Sequence, residues 1–362
     1  MNLQIKDYQR LFSHSGLRFL INELAMKGYS GLGVISIVKD DDFVCYMPKS
    51  KIEETSIEGL KLYSSKEKFD QYASNFRKFQ SSFKNFCEEV LLKSLSKSQI
   101  GKLFELCGEC INQYKKTEFI FVDRSYLESQ KSENQELNDN LEKYEKIKFE
   151  FRDSINTIFF GKNSYYQRIL EKLGKEIGVS SEDLQQYKSS EILELFEGKK
   201  VDNKTVKERF RRNVIIDHDG DFEYYWGKEA EKIIDNFLGE TMESEVSGTI
   251  VNKGKITGIA RIIKPGWHED LSRIKEAMEC MNKGDILVSE TTSPDIMIAI
   301  RKAGAIVTDQ GGLMSHAAIM AREMNVPGIV GCGNATKLIN DGDLIEVDAN
   351  NGTVRIIKKA KS

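Results

Sequence analysis

The chain has 362 residues, which is enough for two or three domains and a substantial buried core. Its 53 Lys and Arg residues and 56 Asp and Glu residues give a net charge of −3, so the overall charge does not support nucleic-acid binding. No apolar run approaches the length of a membrane span, and the first residues lack the pattern of a signal peptide. We therefore expect a cytoplasmic protein with neither a nucleic-acid nor a membrane partner.

The first part of the chain has mostly helical periodicity. Residues 1 to about 30 predict a helix, and the two short apolar runs within Val34–Tyr46 predict a hairpin. Residues 52–114 have helical spacing and carry an aromatic stripe, which we interpret as core. The stripe consists of Phe69, Tyr72, Phe76, Phe79, Phe83 and Phe86. Phe119–Val122 predicts a short strand or an extended link between helices.

More helices are predicted in the following hundred residues. Charged and polar residues dominate 132–148, which predicts a solvated helix or a segment that links helices, and further helices are expected at Tyr165–Leu173 and Ser180–Glu197. The basic segment Lys204–Arg212 is interpreted as a solvated helix face, with a local clamp for an anionic substrate as the alternative. Apolar runs on both sides of Asp219-Gly220 predict a second hairpin.

Residues with metal-binding or redox chemistry form no convincing site. Among six cysteines only Cys107 and Cys110 are closely spaced, and they lack the further ligands of a zinc site and the preceding strand of a redox site. We interpret both as core-facing or half-buried thiols. The Asp and His residues of Asp217–Asp221 lie in the predicted turn, which favours turn chemistry over a metal site. The sequence therefore predicts no metal ligand.

The composition changes at Gly239–Ser247, which we interpret as a domain boundary because strand-like patterns follow it. Strands are predicted at Ile256–Lys264 and Asp285–Val288, and a helix at Pro294–Ala303. A terminal hairpin with an Asn-Gly turn is predicted within Leu344–Ile357.

The most informative stretch lies between these elements. It predicts a strand at Ala305–Thr308, a Gly-Gly turn, a helix from Ser315 to about Asn325 and another strand at Ile329–Val330. This order places His316 in the first turn of the helix.

The first turn of a helix favours an anion, because its backbone N–H groups are unpaired and the helix dipole is positive there. An imidazole at this place can attack phosphorus and carry the phosphoryl group as a covalent intermediate. The N–H groups of Gly311, Gly312 and the helix start would then face the phosphoryl oxygens. The alternative is a surface histidine on a helix capped by Ser315.

The stretch Gly311–Arg322, GGLMSHAAIMAR, closely resembles the phosphohistidine motif of the PEP-utilising enzymes. That family includes PEP synthase, pyruvate phosphate dikinase and rifampicin phosphotransferase. The flanking residues resemble the family too, so the resemblance extends from near Val246 to Ile357. Many members have Thr two positions before the histidine, where this chain has Met314. The antibiotic-phosphorylating branch is similar to this chain in having an apolar residue there.

The resemblance implies an α+β protein with two parts. A mostly helical region at 1–240 would bind the acceptor or dock a partner. A β/β/α swivelling phosphohistidine domain would follow at 245–358.

The resemblance also implies a function. No segment resembles the ATP-grasp domain or the barrel of a PEP synthase, so we expect a stand-alone member that works with a separate ATP-grasp subunit. The phosphoryl group would come from ATP through that subunit, or from PEP, and pass to a small-molecule acceptor. No cofactor of the chain itself is identified, and Mg²⁺ and ATP are implied through the partner.

The alternative is a non-catalytic adaptor that uses the swivelling domain for protein contact. The implied site consists of catalytic His316 and phosphate-binding Gly311, Gly312 and Ser315.

Overall fold

The computed structural model describes residues 4–15, 17–39, 42–160, 163–238, 245–263, 271–292 and 296–360. Helices and strands are both abundant, so the chain is an α+β protein. It divides into two compact units. The first is Met1–Gln9 with Ser13–Gly239, and the second is Arg10–Phe12 with Glu240–Ser362.

The first sheet has the strand order β1-β3-β2-β4-β5. Its strands are β1 (Tyr8–Ser15), β2 (Ile35–Lys39), β3 (Asp42–Pro48), β4 (Arg212–His218) and β5 (Asp221–Trp226). Strands β2 and β3 form one antiparallel pair and β4 and β5 another, which confirms both predicted hairpins. Each pair joins strands that are adjacent in sequence, so local turn chemistry was sufficient to predict it.

The turn between β4 and β5 is shorter than predicted, because Asp217 and His218 end β4 and Asp221 begins β5, but Asp217 and Asp219 take part in it as expected. Asp219 and Gly220 both have positive φ, at 51° and 103°, as this kind of tight hairpin turn requires. The Asp217 carboxylate accepts hydrogen bonds from the backbone N–H of Gly220 at 2.7 Å and of Gly33 at 2.9 Å. This carboxylate is therefore used to hold two loops.

Helices make up most of the remainder of the first unit. They are α1 (Phe19–Gly28), α2 (Lys49–Tyr63), α3 (Lys66–Leu92), α4 (Lys97–Tyr114), α5 (Phe119–Ser129), α6 (Gln135–Ile155), α7 (Tyr165–Ile177), α8 (Ser181–Leu184), α9 (Ser189–Leu195), α10 (Asn203–Arg211) and α11 (Gly227–Leu238). No helix in the described ranges combines the length and the apolar character needed to cross a membrane.

The aromatic stripe of α3 lies in the core at Phe69, Tyr72, Phe76 and Phe83, as predicted, whereas Phe79 and Phe86 are only partly buried. Phe69, Phe76 and Phe83 are at most 1% exposed, and the Phe76 ring meets the Phe151 ring edge to face at 4.2 Å. Phe151 belongs to α6, the helix predicted to be solvated. That prediction was incomplete, because α6 is amphipathic and buries one side against α3.

Two element predictions in the first unit were wrong. The proposed helix over residues 1–30 is instead strand β1 followed by α1, because the first of these segments pairs with β3 in the sheet. Phe119–Val122 begins helix α5 instead of forming a strand. Its apolar run is buried against α2, and a short apolar run alone does not distinguish a buried helix turn from a strand.

The other departures concern one helix end and one helix that is interrupted. Helix α7 continues through Gly174 to Ile177 and ends at Gly178, whose φ of 68° suits a left-handed cap. The single helix expected at Ser180–Glu197 is divided into α8 and α9. The first change extends a helix past its predicted end, and the second is an interruption inside the predicted helix, between Leu184 and Ser189.

The second unit contains a mixed sheet with the order β6-β13-β12-β8-β9-β10-β11-β7. Its strands are β6 (Glu245–Ser247), β7 (Thr249–Asn252), β8 (Lys255–Ile262), β9 (Ile286–Ser289), β10 (Ala305–Thr308), β11 (Gly328–Val330), β12 (Leu344–Asp348) and β13 (Thr353–Lys358). Strands β8, β9, β10 and β11 are parallel to one another, whereas β12 is antiparallel to β8 and β7 is antiparallel to β11. The two end strands, β6 and β7, are separated in sequence by Gly248 alone, so the two ends of the sheet are joined at this residue.

Short helices complete the second unit: α12 (Leu271–Cys280), α13 (Met297–Lys302), α14 (His316–Glu323) and α15 (Ala335–Leu338). The strands and the helix predicted around His316 are confirmed, as is the terminal hairpin β12–β13. Helix α13 lies within the predicted Pro294–Ala303, although Pro294 itself is outside the described residues. These elements enclose an apolar core that includes Ala260, Ile286, Val288, Ala305, Val307, Ile329, Ile345, Val347 and Val354.

Gly59 on α2 tests the close packing of the helical unit. A Cβ at this position would lie 1.8 Å from the Phe121 carbonyl oxygen on α5, so we expect Gly59→Ala to lower the free energy of unfolding by about 1 to 3 kcal/mol. Urea unfolding followed by far-UV circular dichroism measures the change. The matched control is Gly101→Ala on α4, where the nearest atom would be 3.8 Å away. We expect that variant to be unchanged or more stable by up to about 1 kcal/mol. Equal stability of both variants would contradict the proposed close approach of α2 and α5.

Candidate functional site

The candidate site lies at the carboxyl ends of parallel strands. All four residues of β10 are buried, and β10 lies between β9 and β11. After β10 a loop at residues 309–315 leads into α14. Because parallel strands end at the same edge of a sheet, the loops after β9 and β10 are neighbours there.

His316 is the first residue of α14, directly after the N-cap residue Ser315. The Ser315 hydroxyl accepts a hydrogen bond from the Ala318 N–H at 3.2 Å. This cap ends the loop and starts the helix, as residues of this type do. The imidazole is partly buried at the positive end of a short helix, which is a favourable place for an anion.

The glycines shape the turn before the helix. Gly311 has a φ of 115°, and a Cβ there would lie 2.8 Å from the Ser315 hydroxyl oxygen. Glycine is therefore required on both conformational and steric grounds. Gly312 is buried, and its carbonyl accepts a hydrogen bond from the Ser315 N–H at 3.0 Å. The structure thus brings Gly311, Gly312, Ser315 and His316 together in one turn.

Thr292 is a site residue that the sequence analysis missed. Its hydroxyl oxygen lies 2.9 Å from His316 Nδ1, and the Thr292 side chain is only 8% exposed. Thr292 follows β9, whereas His316 follows β10. Since the carboxyl ends of parallel neighbours share an edge, the polar run Ser289–Thr292 after the predicted strand Asp285–Val288 was the available signal, although it does not single out Thr292.

The surroundings of His316 favour its neutral form. Burial of the imidazole lowers its pKa from the ordinary value of 6.5, and the Glu323 carboxylate on the same helix opposes this shift. At pH 7 the ring is therefore mostly neutral and one nitrogen carries a lone pair. If Nδ1 is the protonated nitrogen and donates to Thr292, the nucleophilic lone pair is on Nε2.

The other sites considered from the sequence are used structurally. Cys107 and Cys110 are buried, which confirms a core position, and burial raises the pKa of both thiols.

Within the basic segment Lys204–Arg212, Arg209 is 1% exposed, pairs with Glu191 at 2.6 Å and lies over the Trp226 ring. This arginine therefore neither faces solvent nor is available to bind an anionic substrate, so neither interpretation of the segment holds for it. Among the described residues, no group of three or more His, Cys, Asp or Glu is arranged to hold a metal ion.

Comparison with known proteins supports a relationship for the part of the chain around His316. Residues 281–352 match the family described as PEP-utilising enzyme, mobile domain. A phosphoenolpyruvate synthase from Aeropyrum pernix is 49% identical over 81 residues, which cover 22% of this chain and 10% of that protein. A probable phosphoenolpyruvate synthase from Archaeoglobus fulgidus is 42% identical over 123 residues, covering 33% of this chain and 16% of the relative.

A phosphoenolpyruvate synthase from Pseudomonas aeruginosa is 37% identical over 128 residues, covering 33% of this chain and 16% of that enzyme. The chain thus spans less than a fifth of the length of these relatives. The matches support the PEP-utilising enzyme family for the segment that contains the candidate site.

The Thr292–His316 contact predicts a defined imidazole tautomer. In nuclear magnetic resonance spectra of protein with ¹⁵N-labelled histidine, we expect His316 to be mainly the Nδ1–H form and its pKa to be below 6.5. In Thr292→Val the acceptor is lost, so the Nε2–H form should increase. Thr292→Ser keeps the hydroxyl and should resemble the wild type. The same tautomer balance in Thr292→Val as in the wild type would show that the hydrogen bond does not orient the ring.

Proposed function

We propose that this chain is a phosphotransferase component in which His316 carries a phosphoryl group. The observation that supports this most is the His316 imidazole itself, which is partly exposed at a helix start and bonded at Nδ1 to Thr292. It lies inside the segment matched to the mobile domain of PEP-utilising enzymes. A histidine used only for packing would not need a helix start beside a Gly-Gly turn.

In the proposed reaction the Nε2 lone pair of His316 attacks the phosphorus of the donor. An N–P bond forms, the P–O bond to the leaving group breaks, and its electron pair stays on the leaving oxygen. The Nδ1 proton remains on the ring and is donated to the Thr292 hydroxyl oxygen. A neutral imidazole therefore becomes a phosphoimidazolium, and transfer to the acceptor oxygen restores the neutral ring.

The helix start would stabilise the charge of the transferred group. The positive end of the α14 dipole lies at His316, and anionic oxygens there are favoured by the unpaired N–H groups of the first turn. We propose that Gly311, Gly312 and Ser315 shape this phosphate-binding turn. Their small size keeps the approach to the imidazole open for in-line attack.

The donor and the acceptor complete the proposal. The phosphoryl group would come from ATP and Mg²⁺ on a separate ATP-grasp subunit, or from PEP, and would pass to a small molecule. The second unit would act as a mobile carrier between two partners. The first unit would bind the acceptor or dock the ATP-grasp subunit.

The test is the intact mass of the 362-residue chain after incubation with host lysate and ATP, or with PEP. We expect a gain of one phosphoryl group that is lost in acid and absent from His316→Ala. The matched control is His218→Ala on β4, which should still gain the group. No adduct with either donor would reject the carrier role and leave the adaptor.

The pH dependence of adduct formation provides a separate prediction. The attacking imidazole must be neutral, and burial lowers the pKa of His316. The rate should therefore be constant near pH 7 and fall as the pH drops, with a midpoint below 6.5. Single-turnover rates between pH 5 and 8, with the donor system held at saturation, measure this. A midpoint above 6.5 would contradict the proposed surroundings of His316.

A further inference from the structure

A second loop, Gly331–Asn334, packs against the loop at residues 309–315, which precedes His316. The Cys332 N–H donates to the Thr308 carbonyl and the Gly333 N–H to the Asp309 carbonyl, both at 2.9 Å. A Cβ at Gly331 would lie 3.0 Å from the Gly311 carbonyl oxygen, so the two loops run in close contact. The second loop leads directly into α15.

The Asp309 side chain joins these two loops. Its carboxylate accepts hydrogen bonds from the Thr336 hydroxyl at 2.5 Å and from the Thr336 N–H at 3.3 Å. Asp309 is 2% exposed and Thr336 is 8% exposed, so the contact is shielded from water. Among the described residues, no cationic side chain lies within ion-pair distance of Asp309.

A buried carboxylate without a cation is costly unless hydrogen bonds replace its water. An apolar residue would fill the space at lower cost, so the carboxylate needs another explanation. The backbone of Asp309 is also held, since its N–H donates to the Ser289 carbonyl at 3.0 Å. Asp309 is therefore bonded to the end of β9, to the second loop and to α15, just before the turn that leads to His316.

We propose that Asp309 and Thr336 form a brace, which holds the loop at residues 309–315 and thereby positions His316 for phosphoryl transfer. Asp309 is a positioning residue in this inference, because it acts through the loop and does not touch the phosphoryl group. The inference rests on the proposed function. Its physical basis is the strict dependence of phosphoryl transfer on in-line geometry, where a displacement of about 1 Å costs about a hundredfold in rate.

The test uses three substitutions in the 362-residue chain. Thr336→Val removes the hydroxyl donor with little change in shape, and Thr336→Ser keeps the donor. The matched control is Thr257→Val on β8, which is the same change in the same unit away from the brace. The readouts are the rate of adduct formation at His316 and the ¹⁵N signals of its imidazole.

We expect Thr336→Val to slow adduct formation by about ten- to a hundredfold and to shift the His316 tautomer balance. Thr336→Ser and Thr257→Val should remain near the wild-type rate. A general loss of stability would slow the reaction without the tautomer change or the rescue by Ser. If Thr336→Val has the wild-type rate and the wild-type imidazole signals, the Asp309–Thr336 contact does not position His316.

The two proposals fail in distinguishable ways. If the wild-type protein gains no phosphoryl group, the carrier role is rejected. The imidazole signals of Thr336→Val then still report whether the brace orients His316, because they need neither a donor nor an acceptor.

Discussion

The hydrogen bond between Thr292 Oγ1 and His316 Nδ1 connects two loops that are 24 residues apart in sequence. It exists because β9 and β10 are parallel neighbours whose carboxyl ends lie side by side. In the proposed reaction Nδ1 donates this bond and orients the ring, which leaves the Nε2 lone pair for the chemistry. The chemistry proposed for the chain therefore depends on the register of two buried strands.

Buried polar residues at the ends of β9 and β10 hold the two loops that form this bond. Ser289 and Thr308 are paired in register as the last residues of β9 and β10, and both are fully buried. The Ser289 hydroxyl donates to the Thr291 carbonyl, and the Thr308 hydroxyl donates to the Gln310 carbonyl at 2.7 Å. Each strand thus ends in a side chain that holds the loop after it. Asp309 adds a third such contact, toward α15. A loop held in this way loses little further entropy when a phosphoryl group arrives.

The two units differ in how well local patterns predicted them. In the second unit, short strands alternate with glycine turns and a capped helix, so periodicity and turn residues were sufficient for β10, α14 and the terminal hairpin. In the first unit, Tyr8–Ser15 and Phe119–Val122 were assigned wrongly because neighbouring elements decided their conformation. Arg209 shows the same limit. Its charge predicted solvent exposure, and only the fold shows that Glu191 and Trp226 surround it.

The sequence by itself determined the local geometry around His316. A serine cap, a glycine that accepts positive φ and a run of small helical residues act over a few neighbouring positions, so the sequence pattern alone could place the imidazole at a helix start. The tertiary structure decided which groups meet that imidazole. Thr292 reaches it, and Asp309 reaches Thr336, through contacts between residues 24 and 27 positions apart. Such contacts depend on strand order and register, which no local pattern specifies.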